Sequence, residues 1–348
     1  TMSYAVVSVP EDHRRETVHG FATRRLGREF ADTFMHPMIL GITSGDAAQT
    51  NLDALFPRMR ALEVDHGSLL GAMVAKMRAK LLEGSSPDEG GPAGPGGRLT
   101  SFGPGGVQVL LNALAQHLGD ARLRLNTQAV QIVRNGDSER RWRVVLDDGE
   151  TLEADAVVVA TPSYVAARLV EGQMASLAEA LDTIPYASVR VLALGFDAGA
   201  IPGRMDGFGF LVPRGQGVRI LGCLWTSTIF PSQAPHDKVL LRVIAGGAFD
   251  PGFVELSDEE ALWETRRDLS RTMGITKAPE FVRHVRWPRA IPQYGPDHLN
   301  RVDRIDQHLN AVGPGLFVAG NAYKGIGLND CVRNARHTAL DVIQMLPR

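Results

Sequence analysis

The chain has 348 residues, of which 44% are hydrophobic and 22% charged, with a formal net charge of −2, so one large or two ordinary domains can be filled and nucleic acid has no electrostatic basis as a partner. Its two cysteines, Cys223 and Cys331, stand far apart without Cys-x-x-Cys or Cys/His spacing, which argues against a disulfide framework or a metal site and fits a reducing compartment. No run of about 18 apolar residues occurs and TMSYAVVSVP lacks the basic start of a secretory signal, so the expectation is a cytoplasmic chain that does not span a membrane, with peripheral contact at its inner face left open.

In chain order, the spacing of Val18, Phe21, Leu26 and Phe30 predicts a helix over 11–34, ended by the breaker Pro37. Small and turn-forming residues over 38–51 mark a candidate site, and helical period resumes over 55–82. Residues 84–97, GSSPDEGGPAGPGG, hold almost nothing that can be buried and predict a flexible surface loop.

From Arg122 the period becomes two. LRLNTQAVQIV and WRVVLDD, a turn at Asp148-Gly149 and TLEADAVVVATP predict a hairpin feeding a strand at 156–160 that is apolar throughout and so covered on both faces, followed by a helix after Thr161-Pro162. Strands at 189–196, 208–212, 219–225, 239–245 and 281–287, with a helix near 258–273, predict a second, sheet-rich region. The chain closes with a strand at 316–319, a glycine-rich turn and a helix over 328–346, and there are no internal repeats.

That last turn carries the clearest chemical signal. Gly320, Gly325 and Gly327 precede an amphipathic helix, so backbone N–H groups are presented with little side-chain obstruction. A helix N-terminus of this kind stabilises the negative charge that gathers at the N1/C2=O side of a reduced flavin, but it is equally the shape of an ordinary strand-to-helix turn. Glycines alone do not decide between the two.

The segment GNAYKGIGLNDCVRNA resembles the C-terminal flavin motif of the protoporphyrinogen oxidase family. The similarity extends through WPRAIPQYGPDHLNRV (287–302), GFGFLVP (207–213), LGFD (194–197), the TP pair at 161–162, SFGPGGVQVLLNAL (101–114) and FPRMRALEVDHGSLL (56–70). It implies an α/β plus α+β architecture: an FAD/NAD(P)-binding, flavin amine-oxidase-like fold with an inserted substrate domain. On that reading 1–100 is a mainly helical part of the substrate- or membrane-facing region. Residues 101–165 and 313–348 belong to the FAD-binding part, and 166–312 form the sheet-rich substrate domain.

The resemblance also implies FAD as cofactor and a tetrapyrrole, protoporphyrinogen IX or coproporphyrinogen III, as the substrate oxidised with oxygen in haem synthesis. Val130 matches the position whose backbone meets the adenine end of FAD. Thr161 and Pro162 match the turn under the dinucleotide, Trp287 an aromatic beside the flavin ring, and Ile326, Gly327 and Leu328 the backbone at its pyrimidine side, with Gly320 of the same glycine-rich turn also a cofactor-binding position. On the substrate side, Gly41 matches a glycine that leaves room for the macrocycle, Phe208, Gly209 and Leu211 the surroundings of the bridging carbon that loses hydride, and Ile244 a ring-packing wall. Gly209 is the position nearest the chemistry.

One part of the pattern is not met. The 348 residues contain no strand–GxGxxG–helix unit for the pyrophosphate, and SYAVVSVP resembles a point in the family beyond that unit. The expectation is therefore an N-terminally truncated form, with a natural short paralogue or one part of a two-chain enzyme as the alternatives, exposing an apolar sheet edge, with oligomeric state open. A tetrapyrrole-binding protein without FAD is the alternative from a different class.

Overall fold

The computed structural model describes residues 13–67, 71, 102–136 and 141–346. Thr17 starts the first helix, Val18–Leu26, by accepting a hydrogen bond from the Gly20 N–H at 3.0 Å. Past Gly27 the coil resumes and runs through a π turn at Ala31–Met35 into the helix His36–Thr43. The expected stop at Pro37 is thus absent. Proline falls in the first turn after the wider π turn, where its missing N–H and the bulk of its ring are tolerated. Val18, Phe21, Ala22, Ile39 and Leu52 form the core of this part.

The helical period from 55 onward resolves into Leu52–Leu55 and Pro57–His66. The rest of the expected 55–82 helix, residue 71 apart, and the expected 84–97 loop lie outside the described residues. Glu63, fully buried, accepts from Arg24 at 2.7 Å and Arg25 at 2.5 Å, and pairs with Arg60, which also reaches Glu16 and Asp53.

In the second part, β1 (Ala129–Arg134), β2 (Trp142–Leu146) and β3 (Thr151–Ala154) form an antiparallel meander. β4 (Val157–Val159) pairs in parallel with β10 (Leu316–Val318). Ile132, Trp142 and Val159 share one core with the helices Ser163–Val170, Ala175–Asp182 and His298–Val312. The last two of these helices were not foreseen. Nor is the run at 156–160 covered on both faces: Val159 is buried, but Val158 is 44% exposed, because the parallel sheet has two strands among the described residues. The helices Gln108–Leu118 and Leu328–Met345 bury no residue and leave apolar side chains such as Leu111, Leu114, Val332 and Ile343 open.

The third part is a five-stranded antiparallel sheet. β5 (Tyr186–Asp197), β6 (Gly209–Leu211), β7 (Ile220–Leu224), β8 (Lys238–Gly246) and β9 (Phe281–Pro292) take the order β6-β7-β8-β5-β9. One face is sealed: Leu192, Leu194, Leu241, Val243 and Ala245 pack with Phe253 and with Ala261 and Leu269 of the helix Asp258–Met273. A reciprocal Ser257–Glu260 capping box starts that helix. β9 runs beyond the expected 287 to Pro292 and contains two prolines, which a strand at the sheet edge accommodates.

Candidate flavin and substrate site

Parallel pairing brings together the two turns that lie far apart in sequence. β4 and β10 run side by side, and the Ala319 N–H donates to Val159 O at 3.0 Å, so Thr161-Pro162 and Gly320 both leave the carboxyl end of the same small sheet. That edge is where open α/β sheets take their ligands. Pro162 precedes the helix Ser163–Val170, and the Ser163 N–H donates to the Tyr186 hydroxyl at 3.0 Å.

The turn after β10 is held from below. The Tyr294 hydroxyl donates to Asn321 O at 2.8 Å and accepts from the Gly325 N–H at 2.9 Å, clasping both sides of the loop. Tyr294 stacks on His298 with ring centroids 3.8 Å apart, and His298 Nε2 lies 2.9 Å from Tyr323 O. Burial pushes the His298 pKa down to about 4, so the ring is neutral and donates through Nε2, while the same burial pushes the Tyr294 hydroxyl up and keeps it protonated. Gly325 has φ +108, and a Cβ there would fall 2.5 Å from that of Asp330.

The helix Leu328–Met345 begins at Gly327 with no side-chain cap, and the Cys331 N–H donates to Gly327 O at 3.0 Å. The amides ahead of Cys331 therefore have no acceptor within the helix. Eighteen residues of aligned peptide dipoles end at this uncapped terminus. An electron-rich ring edge fits there. Val130 lies elsewhere, at a bulge: the β1–β2 register skips from Ala129 to Gln131, which takes the Val130 backbone out of regular pairing.

The open face of the five-stranded sheet gathers the residues expected on the substrate side. Leu211 pairs with Gly222, Gly222 with Ile244, Ile244 with Val191, and Val191 with Val285, so Leu211 and Ile244 flank a position without a side chain. Trp287, 55% exposed, stands on the same face one alternate position along β9. Phe208, 63% exposed, immediately precedes β6. Gly209 has φ +126, and a Cβ there would lie 1.9 Å from Cys223 O, so β6 and β7 can pair only with glycine at this point. Gly41 lies against the same wall: its Cβ would come 2.5 Å from Leu211 Cδ2.

The expected residues thus form two groups, one at the β4/β10 edge and one on the sheet face, with Val130 on the meander. Tyr294 and Gly222 were missed as site residues. Tyr294 stood inside the quoted WPRAIPQY, but only the tertiary contact to Gly325 reveals what its hydroxyl does, and Gly222 acquires meaning only from strand register.

The family described as flavin containing amine oxidoreductase matches residues 4–343. Coproporphyrinogen III oxidase of Bacillus subtilis (strain 168) is 29% identical over 94% of this chain and 67% of its own length. Protoporphyrinogen oxidase of Bos taurus is 30% identical over 95% of this chain and 70% of its own. A crystal structure from Exiguobacterium sp. 255-15, provisionally named a protoporphyrinogen oxidase, superposes with a TM-score of 0.77 at 26% identity, covering 97% of this chain and 69% of that one. The chain belongs to the protoporphyrinogen oxidase family of flavin-dependent oxidoreductases. It spans 60 to 67% of the length of the first four curated relatives it matches.

Proposed function

We propose that this chain takes part in FAD-dependent oxidation of protoporphyrinogen IX to protoporphyrin IX, with oxygen as the acceptor. Coproporphyrinogen III is the alternative substrate. The observation that carries this reading is the occurrence, in one chain, of an uncapped helix N-terminus beside the carboxyl end of a parallel sheet and a sheet face on which Leu211, Ile244 and the exposed Trp287 stand together.

Bound FAD supplies a two-electron acceptor that oxygen regenerates. The backbone of Ile326, Gly327 and Leu328 stabilises charge at the pyrimidine edge, Thr161, Pro162 and Gly320 support the dinucleotide, Trp287 packs beside the ring, and Val130 meets the adenine end. Gly209 and Phe208 set the bridging carbon in place, and Gly41, Leu211 and Ile244 wall the macrocycle. Orientation of two flat molecules is the main task, and it needs no acid–base pair. A strand–GxGxxG–helix unit, absent from these 348 residues, would dock against the exposed Val158 and the helices Gln108–Leu118 and Leu328–Met345.

Among the described residues, no helix is long and apolar enough to cross a membrane. Peripheral contact is supported by Phe30 and Phe34, exposed and stacked 5.3 Å apart beside the π turn.

The test is to titrate the purified chain with FAD and follow oxygen uptake and porphyrin fluorescence with each porphyrinogen. Flavin uptake with porphyrin formation is expected. Porphyrin binding without flavin uptake overturns the oxidase reading in favour of a tetrapyrrole-binding protein.

A further inference from the structure

Two arginines interrupt the apolar open face of the five-stranded sheet. Arg242 on β8 and Arg283 on β9 both pair with Ala193 of β5 and flank it. Each lies one alternate position from the row that contains Ile244, Val191 and Val285, about 7 Å away along the strands, and so on the same face. Their backbones stand two strand spacings apart, about 10 Å. Arg242 also pairs with Leu224, which pairs with Gly209, placing Arg242 another two spacings from the glycine at the bridging carbon.

Other arginines of this region have acidic partners: Arg190 and Arg286 meet Asp258, and Arg219 meets Asp250 and Glu264. Among the described residues, neither Arg242 nor Arg283 makes an ion pair or a side-chain hydrogen bond. Arg242 is exposed as a residue, yet crowding of its head group by the protein lowers its pKa. A flat apolar ligand lying on this face removes water from both guanidinium groups, a cost that only anionic groups on the ligand offset.

We infer that Arg242 and Arg283 bind the side-chain carboxylates of the tetrapyrrole whose ring lies over Leu211, Gly222 and Ile244. This rests on the tetrapyrrole reading and adds which edge of the molecule faces which strands: the acidic edge lies toward β8, β5 and β9, and the reacting bridge toward β6. Bidentate guanidinium–carboxylate geometry makes arginine the fitting residue type, and lysine a poor substitute.

The experiment titrates the full chain with protoporphyrin IX and with its dimethyl ester, which has the same ring and no anionic groups, and reads porphyrin fluorescence. Arg242→Gln and Arg283→Gln are each expected to weaken binding of the diacid about tenfold, the loss of one charge-assisted contact. Ester affinity is expected to stay unchanged, and Arg242→Lys to restore only part of the loss. A diacid affinity unchanged in both glutamine variants overturns the proposal, as does an equal loss for acid and ester, which marks a structural role. Failure of the wild-type chain to bind either porphyrin is a different result: it removes the tetrapyrrole reading on which the proposal rests.

Discussion

Tyr294 is joined to Gly325 by a hydrogen bond of 2.9 Å from the glycine amide to the phenol oxygen, and this contact ties the end of β9 to the loop that leads into the helix Leu328–Met345. The neighbouring Gln293 donates from Nε2 to Thr43 O at 2.9 Å, at the end of the helix that sets Gly41 against Leu211. Two consecutive residues therefore tie the flavin-side loop and the substrate-side wall to one strand end.

Tyr294→Phe leaves the half-buried Gly325 amide and Asn321 carbonyl without this partner. The expected loss is about 1–3 kcal/mol of stability, read by urea denaturation. Hydrogen exchange should quicken in the peptide spanning 320–327 while β5 and β8 stay protected. Unchanged exchange in that loop would show that the hydroxyl does not hold it.

Gly209→Ala places a methyl group against Cys223 O in a backbone conformation that alanine avoids. It should cost roughly 2–4 kcal/mol, or separate β6 from β7 and abolish porphyrinogen oxidation. A variant with wild-type stability and turnover would contradict the register of these two strands.

Gly41→Ala meets only the side-chain end of Leu211. The leucine can turn aside, so stability should change little, while displacement of Leu211 into the substrate space raises KM more than it lowers kcat. Steady-state kinetics with both porphyrinogens measure the split.

Glu63 has opposing influences. Burial disfavours its charge, but hydrogen bonds from Arg24 and Arg25 outweigh that and hold its pKa below the ordinary carboxylate value. A depressed folded-state pKa contributes stability that is present above the unfolded value, about 4.3, and is lost as pH falls through the folded value. Wild-type stability should therefore drop in this acid range, and Glu63→Gln should flatten the drop while lowering stability at pH 7 by about 3–5 kcal/mol, since three arginines lose a buried partner. Urea midpoints from pH 3 to 7 test both statements.

Cys223 is buried, and burial raises its thiol pKa to about 12. Cys331 is partly exposed at the start of the last helix. A thiol reagent at neutral pH should leave Cys223 untouched until the chain unfolds, and flavin binding should slow whatever labelling Cys331 shows. Rapid labelling of both thiols in the native chain would count against the packing of β7.

The sequence by itself determined the family, the alternation that builds the five-stranded sheet, and the glycine-rich turn before the last helix. Each is a local pattern: period two in β5 and β8, small residues where backbone must be free, and contiguous motifs such as GNAYKGIGLNDCVRNA. It misjudged Pro37, because a π turn, whose hydrogen bond spans one residue more than the usual helical bond, cannot be read from residue types, and it missed the helix His298–Val312, whose buried side depends on a distant core. Only the tertiary structure decided that Thr161 and Gly320 share one sheet edge, that Tyr294 clasps the flavin-side loop, and that Arg242 and Arg283 flank Ala193 on one face. Those relations join residues far apart in the chain, and strand register and parallel pairing, which fix them, are properties of the folded chain as a whole.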